Sequence, residues 1–358
     1  MKVLYAIQGT GNGHLSRARE IIPHLIKHAS LDLLISGSHS ELGCDYLVKY
    51  RKNGMGFTFG KNGGINKIDT VKKLKPLQFM KDVLSFPVHD YDLIINDFEP
   101  VTAWACKFRG KDCLAMSHQS AFLSEKTPRP LKISHSAELL LKHYAPSTSH
   151  VGFHFLKYDQ EIYTPIIFSK IRKLDINNFG HYTVYLPAHS DDTLIKYFTQ
   201  IPDVRFDVFS KHSKQSYQLK NVHVQPIQTE AYMNSLSGCE GLITGGGFES
   251  PAEAMYLQKK VLVVPMSDQY EQQCNAAALK SMGLTVVKKI NDDFLTQLKG
   301  WINYGFPIKV YYPDITAELV ENVLASFQPQ KTSELINEVQ PPNLLSALNT
   351  INRSFSTE

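Results

Sequence analysis

Residues 241–278 read GLITGGGFESPAEAMYLQKKVLVVPMSDQYEQQCNAAA. An apolar strand at 241–244 runs into Gly245, Gly246 and Gly247, and a helix is expected from about 250 to 257. A second apolar strand, 260–265, opens into a polar loop at 266–273 before another helix. Strand, glycine turn and helix start together make an anion site. Glycines admit the backbone to a phosphate, and unpaired N–H groups at the helix start point at it. In a parallel sheet the second loop emerges on the same edge, where ligands sit in such folds. One ligand can then meet a phosphate cradle and a row of Asp and Gln side chains, a pairing that suits a sugar nucleotide. The competing reading is a glycine turn shaped only by packing.

A chain of 358 residues is long enough for two domains of ordinary size. With 43% hydrophobic and 20% charged residues it has the composition of a soluble globular protein. No apolar run reaches the roughly 18 residues needed to span a bilayer. The start, MKVLYAIQGTGNGH, has too short an apolar part for a signal peptide and runs straight into a glycine turn. Cys44, Cys106, Cys113, Cys239 and Cys274 form no CxxC and no metal spacing, so reduced thiols in a cytoplasmic protein are expected. The net charge of +4 is uneven. Residues 1–170 carry 22 Lys+Arg against 15 Asp+Glu (+7), and residues 171–358 carry 16 against 19 (−3). The basic half suits an anionic partner or a membrane surface. Its lysines form no dense run, so an ordinary solvated face fits equally, and no nucleic-acid partner is expected.

Upstream, the apolar run 2–7 ends in Gln8-Gly9-Thr10-Gly11-Asn12-Gly13-His14, and 15–28 has helical spacing. Strands are expected at 31–36, 55–59, 91–96 and 112–117, with helices at 68–86 and 102–108. Residues 59–72 read as a mobile Gly/Asn/Lys loop. The region 125–174, with Pro128, Pro130, Pro146 and Pro165, is irregular and is taken to carry the crossing between domains. A second alternation follows, with strands at 182–186, 206–209, 222–224, 242–244 and 261–264 and a late helix at 314–327. Strands alternating with helices give parallel sheets covered on both faces. The expected architecture is α/β, with two doubly wound domains facing each other.

Gly9, Gly11 and Gly13 are spaced GxGxG, not GxGxxG, and the second strand ends Ser36-Gly37-Ser38 without the acidic residue an NAD site wants. His14 says more. It falls in the first turn of a helix at the ligand edge of the sheet. The helix dipole disfavours a positive imidazole there, which suits the ring to accepting a proton. The bland alternative is a histidine that only packs against the turn. Asp97-Phe98-Glu99, at another strand end, offers either an acidic partner for His14 or a cap for the next helix. His118, at the following strand end, is a candidate for the acceptor side of a cleft.

The two glycine motifs in this order resemble the GT-B glycosyltransferases, nearest the MurG-type enzymes, plant galactolipid synthases and UDP-glucuronosyltransferases. The likeness is densest at GTGNGH (9–14) and at 222–278, and thin over about 122–174. It implies two Rossmann-like domains facing a cleft: 1–170 on the acceptor side, 171–330 binding the nucleotide sugar, and a tail at 331–358. It implies a cytoplasmic, inverting, metal-independent transfer from a UDP-sugar to an acceptor hydroxyl, with His14 as base, Asp97 as its partner and no cofactor beyond the co-substrate. Gly11, Asn12 and Gly13 would meet the donor at the first turn, and the Ile227 backbone would hold uracil. Gly245, Gly246 and Gly247 would meet the diphosphate, flanked by Thr244 and Glu249. Glu253 would bind ribose, and Asp268, Gln269, Gln272 and Gln273 the sugar hydroxyls.

Two departures stand out. The place of a glycine-rich loop in related enzymes reads Leu186-Pro187-Ala188-His189-Ser190. Ser250-Pro251-Ala252-Glu253 is also a capping box, which gives Glu253 a second explanation. The acceptor, whether lipid-linked, a glycan or a small molecule, is expected at 54–75 and 122–154, where Lys61, Lys67, Lys72, Lys73 and Lys75 could touch a membrane. The rival readings are a UDP-GlcNAc 2-epimerase, which the few carboxylates at 266–273 argue against, and a binding protein without turnover.

Overall fold

The computed structural model describes residues 1–10, 12–37, 46–54 and 75–327. Two sheets organise them. The first is built from β1 (Lys2–Gln8), β2 (Ser30–Ser36), β3 (Tyr50–Lys52), β4 (Leu93–Asp97), β5 (Leu114–Ser117), β6 (Ser149–Phe153) and β7 (Ile162–Tyr163). Its order is β3-β2-β1-β4-β5-β6-β7, with every described pairing parallel. Val3, Leu4, Tyr5, Ala6 and Ile7 are all fully buried. A central parallel strand is covered on both faces and so reads as a continuous apolar run.

The second sheet holds β8 (His181–Tyr185), β9 (Arg205–Ser210), β10 (Tyr217–Leu219), β11 (Val222–Pro226), β12 (Gly241–Thr244), β13 (Lys260–Val263) and β14 (Thr285–Val286). The order is β10-β11-β9-β8-β12-β13-β14, antiparallel only between β10 and β11. Its core includes Tyr182, Phe198, Phe206, Phe294 and Trp301.

The helices in the first half are α1 (Asn12–His28), α2 (Pro76–Ser85), α3 (Pro100–Arg109), α4 (His135–His143) and the short α5 (Ser169–Arg172). In the second they are α6 (Asp191–Phe198), α7 (Thr229–Gly238), α8 (Glu249–Tyr256), α9 (Tyr270–Ser281), α10 (Asp292–Tyr304) and α11 (Thr316–Ser326). The expected 170/171 boundary falls in the connection between the sheets, inside α5. α11 returns to pack on α1, and the described chain through Ser326 is one unit. A second unit, Phe327–Glu358, is described only at Phe327.

Both sheets have a point where strand order reverses, at β1/β4 and at β8/β12. Ligands of such folds sit outside the strand ends at those points. The structure differs from expectation where the sequence pattern is short. The region expected to be irregular contains the helix α4 and two strands, β6 and β7, that extend the first sheet. β3, β10 and β14 are edge strands of two or three residues, too short to show a period. The helix expected over 68–86 is described as Pro76–Ser85, and the strand expected at 55–59 and the loop at 59–72 lie outside the described residues.

Candidate active site

Parallel pairing of β1 with β4 sets Ile7 beside Asp97, so the turn after β1 and the end of β4 share one corner. α1 starts at once from that turn and carries His14 to the corner. His14 Nδ1 lies 2.7 Å from Asp97 Oδ1. A carboxylate only accepts, so Nδ1–H donates, and in the neutral form of the ring the lone pair is then on Nε2. Asp97 is fully buried. Burial alone would push its carboxyl up, but Arg17 and then His14 overrule it and hold it below the usual carboxylate range.

Arg17 lies one helical turn beyond His14 on the same face. Its Nε and Nη2 donate to Asp97 at 3.1 and 2.9 Å, and its Nη1 donates to Glu249 Oε1 at 2.8 Å. Burial works against its charge, yet Asp97 and Glu249 keep the guanidinium firmly protonated. Sequence reading passed over Arg17. The spacing from His14 was visible, but its partners were not.

Phe98 follows Asp97 at φ 56°, a left-handed conformation rare for an aromatic residue. This turn lets Asp97 face α1 while the Phe98 ring stacks on Tyr144 at 4.7 Å. Glu99 accepts from the Val101 and Thr102 N–H groups at 2.8 and 2.7 Å and caps α3. The two roles weighed for this acidic motif are thus divided between its two carboxylates.

In the second sheet the glycine turn follows β12, as expected, but it is organised by the polar helix beside it. Gln272 Oε1 accepts from Gly246 N at 3.1 Å and from Met266 N at 3.0 Å. Asn275 Nδ2 donates to Gly246 O at 3.0 Å. A Cβ at Gly246 would strike Gln272, so glycine is required there by close approach. α8 begins at Glu249 with no side-chain cap, so the expected Ser250–Glu253 capping box does not form. The helix starts two residues earlier than that box needs, with Phe248 and not Ser250 at the cap position.

Two cavities meet here. The larger, about 320 Å³, is lined by Ile227, Thr244, Gly245 and Glu253, with Tyr185 and Tyr232 beside them. Residues 186–188, where the chain departs from the glycine-rich loop of related enzymes, also line it. Burial first, then Glu249, pushes the Glu253 carboxyl up to about 8. The smaller, about 150 Å³, is lined by Thr10, His14, Arg17, His118, Gln269 and Glu271. Gly13, Gly247, Glu249 and Gln272 line both.

Other expected donor residues lie elsewhere. Asp268 is exposed and lines neither cavity, and Gln273 turns its amide to the Ser267 carbonyl. Both follow from where α9 begins, which points the helix side carrying Gln269 and Gln272 into the cleft. Gly246 and Asp97 sit behind the cavity walls. Gly11 and the Asn12 side chain lie outside the described residues.

His118 is 1% exposed, and burial pushes its imidazole down to about 3. Its Nδ1 donates to the Phe153 carbonyl at 2.8 Å and its Nε2 faces the Asn275 amide at 2.9 Å. Its ring stacks on Phe248 at 4.0 Å. It therefore walls the small cavity while bridging the two halves. Glu271 accepts from Gln119 Nε2 at 3.0 Å, and burial pushes its carboxyl up.

A family model described as glycosyl transferase family 1 matches residues 1–302. No curated protein matches the sequence. Among solved structures, Acinetobacter baumannii MurG aligns with a TM-score of 0.57 at 13% identity, over 91% of this chain and 100% of that one. Phytolacca americana UGT2, complexed with UDP-2fluoro-glucose and pterostilbene, aligns with a TM-score of 0.55 at 12% identity, over 91% and 94%. A UDP-N-acetylglucosamine 2-epimerase aligns with a TM-score of 0.54 at 12% identity, over 91% and 96%. At such identities the shared property is the fold, two Rossmann-like sheets about a cleft.

Proposed function

Because the chain belongs to glycosyl transferase family 1, we propose that it is an inverting enzyme moving a sugar from a UDP-sugar to an acceptor hydroxyl. The observation that carries this reading is the His14–Asp97 pair beside a cavity continuous with the glycine turn. In this reading residues 1–170 form the acceptor side and 171–330 the donor side. UDP lies in the larger cavity, its base against Ile227, its ribose near Glu253 and its diphosphate at Gly245 and Gly247. The sugar reaches Gln269 and Gln272. His14 Nε2 takes the proton of the acceptor hydroxyl, and that oxygen attacks the anomeric carbon from the face opposite UDP. Asp97 holds the ring in the required tautomer and steadies the imidazolium as it forms. Backbone N–H groups and the α8 dipole meet the charge on the departing diphosphate, so no metal or further cofactor enters this reading. The nucleotide in the Phytolacca americana structure supports a uridine donor by analogy of fold.

His14→Ala is expected to lower turnover by about 10² to 10⁴-fold, measured with the UDP-sugar that most stabilises the protein. Unchanged turnover would remove His14 from the role. A second reading, a 2-epimerase, gains support from Glu249 and Glu271, two carboxylates beside His14. UDP-GlcNAc incubated without acceptor separates the two, since only an epimerase makes UDP-ManNAc.

We place the enzyme in the cytoplasm, with peripheral contact to an anionic membrane through its basic first half. Among the described residues no helix is long and apolar enough to cross a membrane. Leu77, Met80 and Leu84 form an exposed stripe on α2, bordered by Lys75 and Lys81. The acceptor is lipid-linked, a glycan or a small molecule.

A further inference from the structure

The junction of the two cavities is where the bond to the sugar must break if UDP fills the larger space and the acceptor meets His14 in the smaller. Gly13, Gly247, Phe248, Glu249 and Gln272 wall it from both sides. A carboxylate already sits there. Glu249 opens α8, where unpaired N–H groups and the helix dipole favour an anion. It leans over Gly13, and any side chain at that position would collide with its carboxylate. It accepts from Arg17 Nη1 at 2.8 Å across the cleft. Arg17 is 3% exposed, and its Nε and Nη2 are committed to Asp97. A diphosphate brought beside this carboxylate would place like charges together next to the buried Arg17. That arrangement is costly unless one of them moves.

We propose that Glu249 holds the diphosphate position before the donor arrives, and that the donor displaces it and takes over Nη1 of Arg17. This rests on the donor reading above. A phosphate oxygen standing where Glu249 Oε1 stands keeps the hydrogen bond to Nη1. Nε and Nη2 stay on Asp97, so the His14–Asp97 pair is undisturbed by the exchange. Arg17 then touches the leaving group and is a catalytic residue. It supplies a full positive charge where negative charge grows as the glycosidic bond breaks, in addition to the backbone N–H groups. Among the described residues Arg17 meets two carboxylates, Asp97 and Glu249, and Glu249 can leave without undoing Asp97 because it belongs to the opposite half of the cleft.

The test is calorimetric titration of the full chain with UDP and with uridine. Glu249→Gln keeps the shape and removes the charge, and Glu249→Ala removes both. Each is expected to bind UDP about tenfold more tightly than wild type, with uridine unchanged. Arg17→Lys, which loses the fork, is expected to weaken UDP binding and to abolish the gain from Glu249→Gln. If Arg17→Lys fails to fold, the two Glu249 variants decide. Wild-type binding of UDP with no gain, or a loss, in Glu249→Gln overturns the exchange and leaves the donor site standing. A wild-type chain that binds no UDP overturns the donor reading and the exchange with it.

Discussion

At the scale of single residues the site is a set of charges held apart from water. Asp97 and Glu253 show how environment separates two carboxyls. Asp97 has a guanidinium and an imidazole against it and stays ionised. Glu253 has Glu249 as its charged neighbour and keeps its proton up to about 8, from an ordinary 4.5. The folded chain therefore holds a proton that the unfolded chain loses first. Between those two values stability falls as pH rises, because the native state binds more protons than the unfolded one. Glu253→Gln cannot ionise and removes that slope. Thermal melts without nucleotide at about pH 6 and pH 8 measure it, with wild type expected to lose more stability than the variant across the interval. Parallel losses in both proteins would mean that Glu253 ionises normally.

At the scale of elements, α2 shows that one helix can carry two apolar faces. Val83 is buried and Phe79 packs inward with it. Leu77, Met80 and Leu84, three and four residues apart, share the outer face and are 87%, 41% and 58% exposed. An outer stripe of this kind adds nothing to the core, and in the proposed reading it is the face that meets the membrane. Leu77→Glu with Met80→Glu should change folding stability by no more than about 0.5 kcal/mol per site, as surface changes usually do. The same variant should lose flotation with vesicles containing anionic lipid. Wild type that fails to float, or a variant that floats as well, would remove α2 from membrane contact.

At the scale of the whole molecule, the cleft is bridged by side chains from both halves. Phe248, at the end of the glycine turn, stacks on His118 at 4.0 Å with the rings 6° apart, and lies 5.1 Å from Phe155. Asn275 ties His118 to Gly246, and the Tyr270 hydroxyl donates to Glu138 at 2.7 Å. The glycine turn is thus fastened to the half that carries His14. Phe248→Ala should cost about 3–5 kcal/mol, as for a large buried aromatic, read from the midpoint of urea unfolding. A cost below about 1 kcal/mol would mean that the two halves pack without that ring.

Much of this was legible in the sequence. Strand, glycine turn and helix at 1–28 and 241–257 follow from local sterics and from apolar runs that only a buried parallel strand would carry. So do the two-sheet architecture and the position of His14 in the first turn of α1. The partners of those residues were not legible. His14 meets Asp97 across 83 residues because β1 lies beside β4, and Arg17 meets Glu249 across 232 because the sheets face each other. Strand order and cleft closure are sums over many weak contacts, and no local pattern records them. For the same reason Gln272, expected at a sugar hydroxyl, has its amide oxygen on the glycine turn, and His118 is clamped between Phe248 and Asn275. The sequence determined the central strands, the two glycine turns with their helices, and the sheet edge at which those turns emerge. The tertiary structure decided which charges meet there, because only packing brings together side chains that the chain keeps far apart.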